Sequence, residues 1–201
     1  MIVQPISYSS NSLVDAQTNT TDSPIKTKLD NWYQSNLTNY TSYLADTTFC
    51  NDRSIAAGSG YLLSPGTTYE TYRRIQDNKA PSLKCSQEND RFKVSSDSAK
   101  LNYPVGLILA DEVALAGGKS GYANSNYYLY NGKNFWTFSP SYFASNYSSA
   151  YVWLVITSES LTPWHYVAAS RGIRPVINIK QDATISKGDG SSLNPFVIAD
   201  R

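Results

Sequence analysis

The thirty residues 151–180, YVWLVITSESLTPWHYVAASRGIRPVINIK, constrain this chain more than any other stretch. Two runs, Tyr151–Ile156 and Ile173–Ile179, are rich in β-branched and aromatic residues, the types that fit a pleated, half-buried surface, and both read as strands. Between them Thr162, Trp164, His165, Tyr166 and Arg171 place large or polar contact groups in a segment of little periodicity. A rigid sheet carrying a display loop would read this way.

Charge excludes several function classes. Seventeen Lys and Arg against sixteen Asp and Glu give a formal charge of +1, so no long-range field favours nucleic acid or an anionic membrane. No stretch approaches the roughly 18–20 apolar residues that cross a bilayer, and the opening Met1-Ile2-Val3-Gln4-Pro5 lacks the regions of a signal peptide. The expectation is a soluble chain whose export signal, if it has one, lies outside this sequence, organised as a polar lead-in over residues 1–21 and one domain over 22–201. Sixteen Tyr and four Trp stand against only 16% charged residues, in a chain rich in Ser and Asn. Binding surfaces favour that balance, because Tyr offers amphipathic area at low entropic cost while Ser and Asn adapt their hydrogen bonds.

Cys50 and Cys85 have no partners at metal-ligand spacing, so the sequence calls for no metal and no cofactor. Each is followed by an Asn-Asp-Arg triplet, Asn51-Asp52-Arg53 and Asn89-Asp90-Arg91, an echo that implies two loops meeting in space. In an oxidising compartment a bridge closing about 36 residues contributes roughly 3–4 kcal/mol by the chain-entropy model; two separate buried thiols are the alternative.

Local signals place the other elements. Ser23 or Asp22 can cap a helix with Pro24 in its first turn, and Ile25, Leu29, Trp32, Tyr33 and Leu37 recur at helical spacing with Trp32 and Tyr33 toward the core. Thr47–Cys50 and Phe92–Ser95 read as short strands, and Tyr69–Ile75 as a short helix or an extended segment. Asp111 can cap a short helix that the glycines 117 and 118 end. Tyr127–Tyr130 and Lys133–Phe138, joined by Asn131-Gly132, predict a hairpin whose second strand stops at Ser139-Pro140. An exposed loop carrying Tyr142, Phe143, Asn146 and Tyr147 follows. Residues 183–185 and 195–198 form a closing strand pair, and Arg174 is expected to meet a buried carboxylate such as Asp52 or Asp90.

The runs Phe49-Cys50-Asn51-Asp52-Arg53-Ser54, Tyr103-Pro104-Val105-Gly106-Leu107-Ile108, Phe135-Trp136-Thr137-Phe138-Ser139-Pro140-Ser141 and Gly172-Ile173-Arg174-Pro175-Val176-Ile177-Asn178 resemble an uncharacterised domain family of bacterial extracellular proteins common in gut bacteria. The resemblance spans about residues 22–198. Its ending is similar to the last core strand of the C-type-lectin-like fold shared by formylglycine-generating enzymes and the variable proteins of diversity-generating retroelements. It implies an α+β domain of mixed and antiparallel sheets with one or two helices and long loops, placed outside the cell or on its surface. It also implies a diversified binding face, here Leu154, Ile156, Thr162, Trp164, His165, Tyr166, Ala168 and Arg171, joined by Tyr142 and Tyr147. The calcium-dependent sugar triplets of true C-type lectins are missing, and the two cysteines lie too early for formylglycine-type chemistry.

His165 is the one histidine, and no Gly-x-Ser-x-Gly elbow accompanies it. The expectation is a non-enzymatic domain that meets a protein or a glycan on another cell, phage or host surface. A structural module of an adhesin or filament is the alternative, with a hydrolase behind it.

Overall fold

The computed structural model describes residues 19, 22–58, 66–124, 126–127, 129, 132–144, 149–157, 160–167, 169–191 and 193–199. Tyr147, Ala168 and nearly all of the 1–21 lead-in lie outside them. The described residues form an α+β structure with antiparallel strand ladders and few helices.

Helix α1 (Pro24–Asn36) starts as its sequence dictates: Ser23 accepts the Lys26 N–H on its side chain at 3.2 Å, and Pro24 fills a first-turn position that needs no donor. Leu29 and Tyr33 face the core, where Tyr33 stacks on Tyr103 with centroids 4.7 Å apart. Trp32 does not; it lies on the flank of the i, i+4 stripe and is exposed, contrary to the sequence expectation. A 3₁₀ turn (Thr38–Tyr43) leads to β1 (Phe49–Cys50), which pairs with β4 (Arg91–Phe92).

That pairing brings the two Asn-Asp-Arg loops together. Cys50 and Cys85 form a disulfide with Cα atoms 5.8 Å apart. Arg53 reaches Asp90 at 2.6 Å, and the Asn51 N–H donates to the Asp90 carbonyl. Burial raises the Asp90 carboxyl above its ordinary range, a push that the Arg53 guanidinium only partly offsets.

The main sheet has the order β2–β3–β5–β6–β7, all antiparallel: β2 (Ile55–Ala57), β3 (Thr67–Tyr69), β5 (Phe135–Ala144), β6 (Ser149–Val155) and β7 (Thr162–Tyr166). It is buried on both faces near its centre. Trp136, Phe138, Val152 and Leu154 pack with α1 on one side. Phe135, Trp153 and Val155 pack on the other with Ile75 and Val113, which come from a π turn (Arg73–Asp77) continuing the short α2 (Glu70–Tyr72) and from α3 (Ala110–Leu115). The buried hydroxyls of β5 are satisfied across the sheet: Thr137 donates to the Trp153 carbonyl, Ser141 to the Pro163 carbonyl, and Ser139 accepts the Ala110 N–H at the start of α3.

Several expectations are corrected here. Among the described residues β5 pairs with β6, and of the first strand expected for the hairpin Tyr127 lies in a bend, buried in the Trp153 cluster, and Leu129 in a turn. Tyr128, Tyr130 and Asn131 lie outside the described residues, while Gly132 has the positive φ of 68° that an Asn-Gly turn calls for. Pro140 does not stop the strand either. The ladder register shifts on both sides of it, between Trp136 and Pro140 and again before Tyr142, and such an irregularity demands no N–H.

Residues 173–179 are no ladder strand. Pro175 removes a donor mid-run, and the segment threads between isolated bridges, Gly106 with Val176 and Leu44 with Ile179. Asp111 does not cap α3 as proposed; Leu109 precedes the helix, its N–H donating to Glu112, and Asp111 sits in the first turn holding Arg74. The closing pair is present as β8 (Ile185–Lys187) and β9 (Val197–Ile198).

Candidate functional site

The sheet face that packs on α2 and α3 is covered over only part of its length. Beyond the helical layer the register sets Tyr142 of β5 opposite Tyr151 of β6, and Tyr151 opposite Tyr166 of β7. Side chains alternate along a strand, so Tyr151 shares its face with Trp153 and Val155, and Trp164 shares its face with Tyr166. The register shift after Pro140 turns Tyr142 to the same side.

Five aromatic rings meet there. Trp164 is the hub, 5.5 Å from Tyr72, 5.9 Å from Tyr142 and 6.1 Å from Tyr151, each in an edge-to-face arrangement. Tyr151 and Tyr166 lie 4.6 Å apart, Tyr142 and Tyr151 6.1 Å. All five separations fall in the range that aromatic pairs prefer, and the three edge-to-face contacts of Trp164 also have the preferred tilt, each worth about 0.5–1.5 kcal/mol beyond area burial. Tyr72 joins the cluster to the core through Trp153, 6.2 Å away. Trp164 and Tyr166 are each 51% exposed. The result is a cohesive aromatic ridge, rooted at one end and open to solvent at the other.

The support beneath it is stiff. Tyr72 rides on α2, and the adjoining π turn is fixed by Arg74, whose guanidinium contacts Asp52 at 2.6 Å and Asp111 at 2.9 Å. Burial opposes that cation most strongly, yet the hydrogen bonds to Asp111 and Asp52 outweigh it and hold Arg74 above its ordinary range. Desolvation, with Asp77 adding to it, raises the Tyr72 phenol as well, so this hydroxyl is neutral at physiological pH. Gly66 lies against Tyr142: a Cβ there would collide with the Tyr142 hydroxyl and the Phe143 carbonyl.

The residues singled out in the sequence divide sharply. Trp164, Tyr166 and Tyr142 come together in the ridge. Leu154 is fully buried in the core that contains Val152, and Thr162, its partner on β7, is buried too, so neither can contact a ligand. Ile156 packs against the same core. His165 pairs with Val152 and, by strand alternation, points to the face opposite Trp164 and Tyr166.

Arg171 is exposed but remote. It precedes Gly172, which bridges Phe135, and Phe135 and Tyr142 stand seven residues apart on β5, roughly 20 Å at strand rise. Among the described residues Arg174 meets no carboxylate: it donates to the Leu129 carbonyl and covers the Phe135 ring at 4.3 Å, while Asp52 and Asp90 are taken by Arg74 and Arg53.

Tyr151 and Tyr72 were missed. The parity of Tyr151 with Trp153 could have flagged the first, since 151, 153 and 155 must share one face. Nothing local flags Tyr72, which arrives from some eighty residues away in sequence.

Among the described residues no cluster of His, Cys, Asp and Glu is placed to hold a metal ion, and no helix is long and apolar enough to cross a membrane. No family model, curated protein or solved structure matches the chain.

Proposed function

We propose that this chain is a non-enzymatic recognition domain that binds a protein or glycan surface through the Tyr72, Tyr142, Tyr151, Trp164, Tyr166 ridge. The observation that carries the reading is the half-exposed Trp164, held edge-to-face by Tyr72, Tyr142 and Tyr151 beside the equally exposed Tyr166, on a sheet whose centre is buried on both faces. Tyr and Trp supply most of the binding energy at interfaces, and a ring held by its neighbours loses little entropy on binding. The Cys50–Cys85 bridge suits an extracellular or cell-surface setting, where disulfides persist. The proposed C-type-lectin-like fold, and diversification of the ridge by a retroelement, rest on the sequence resemblance given above. Diversification would act on the exposed positions of β7, Trp164 and Tyr166, since Leu154 and Thr162 are committed to packing.

The test is a glycan array and a phage-displayed random-peptide selection, each run on the wild type and on Trp164→Ala. The reading requires a binder in one of the two formats that is lost in Trp164→Ala while the variant keeps its cooperative unfolding. Binders that the variant retains would remove the ridge from the account.

A further inference from the structure

A groove lies toward the other end of the sheet, away from the ridge. It runs between α3 and the segment 174–177, with a volume of about 670 Å³ and apolar walls from Leu83, Ile108, Leu115, Leu129 and Val176. Leu83 and Leu115 are more than half exposed, although residues of this type normally turn inward. A volume in this range suits a drug-sized ligand.

Among the described residues one cation lines the groove. Arg174 is half-buried, its guanidinium held 4.3 Å from the Phe135 centroid, and its Nη1 donates to the Leu129 carbonyl at 2.9 Å. Among the described residues no carboxylate lies within ion-pair distance of it. A guanidinium has five N–H donors in a rigid fork, and one hydrogen bond leaves most of them unused. Glu112, the other ionisable group among the described lining residues, accepts the Leu109 N–H at the start of α3. A fixed, partly desolvated cation beside an apolar trough is complementary to an anion carried on an apolar body, and the planar fork matches a carboxylate bidentately.

We propose that this groove binds a small apolar monocarboxylate, its carboxylate on Arg174 and its hydrocarbon along Leu115, Ile108 and Val176.

The probe is octanoate, titrated into the full chain and followed by backbone amide NMR, with octanol and octylammonium as uncharged and cationic controls. The proposal expects saturable shifts at Leu115, Leu129 and Val176 with octanoate, and binding of both controls weaker by about tenfold or more. Arg174→Gln should lose octanoate to a similar degree. Glu112→Gln keeps an acceptor for the Leu109 N–H while deleting a negative charge, so it should bind octanoate more tightly. That variant protects the test should Arg174→Gln disturb the fold. Octanol binding as well as octanoate, or weaker octanoate binding by Glu112→Gln, would overturn the proposal. So would the absence of octanoate binding at millimolar concentration with Leu83 and Leu115 shielded from a soluble paramagnetic probe, which would mean that another segment of the chain or a second copy fills the groove.

Discussion

Replacing Arg74 with Met removes the cation between two nearly buried carboxylates and leaves a side chain of similar volume. Asp52 and Asp111 have side chains only 9% and 4% exposed. Each attraction is worth about 4 kcal/mol gross for charges about 4 Å apart at an effective dielectric of about 20, and desolvation offsets much of it. Removing one partner is different from removing all, because it strands buried charge at a cost of about 3–5 kcal/mol. For a chain of this size that corresponds to a fall in Tm of about 10 °C. Urea denaturation should show a lower midpoint at an unchanged slope. The triple variant Arg74→Met, Asp52→Asn, Asp111→Asn should recover a large part of the loss, since the amides still accept the Ser54 and Ser82 N–H groups. A single-variant loss below about 1 kcal/mol, or a triple variant less stable than the single, would refute this reasoning.

Other perturbations should separate scaffold from surface. Reducing the Cys50–Cys85 bridge, which spans a sequence separation of 35, should cost about 4 kcal/mol by loop entropy, read as a shift in urea midpoint between oxidised and reduced chains. Trp153→Ala, at a fully buried site, should cost about 3–5 kcal/mol in the same assay. Gly66→Ala should displace the Tyr142 ring, seen as shifted Tyr142 and Trp164 ring resonances with little change at Phe92. Asp46 accepts the Val94 and Ser95 N–H groups at 2.7 and 2.8 Å; burial opposes its charge, but these bonds prevail and lower its pKa. Its contribution is therefore fully present above the unfolded carboxyl pKa and is lost as pH falls through the lower folded value. The stability gap between wild type and Asp46→Ala should be open at neutral pH and close in strong acid.

Much of the scaffold was legible because its determinants are local. Ser23-Pro24 and the i, i+4 spacing of Ile25, Leu29 and Tyr33 specify α1 within one turn of chain. The repeated Asn-Asp-Arg pointed to the loop pairing because each copy carries its own ion-pairing group. The ridge was legible only in part. Trp164 and Tyr166 announce themselves by type, but β7 is short and starts with Thr162-Pro163, which reads as loop; only pairing with β6 makes it a strand. Tyr142 faces the ridge because of a register shift that alternation cannot foresee, and Tyr72 arrives from a distant helix. Leu154 was misjudged for the opposite reason, since a diversified segment and a core strand share the same residue types there.

The central claim is that the ridge is carried by the fold without holding it together. The deciding measurement is Trp164→Ala, with unfolding free energy and affinity for a selected ligand determined on the same preparation. The account predicts that the variant still folds cooperatively with a stability loss of about 2–4 kcal/mol, the share of a half-exposed ring in three edge-to-face pairs, and that affinity falls by about thirtyfold or more. Loss of cooperative unfolding, or affinity unchanged in the molecules that remain folded, would make Trp164 a support of the fold and contradict it.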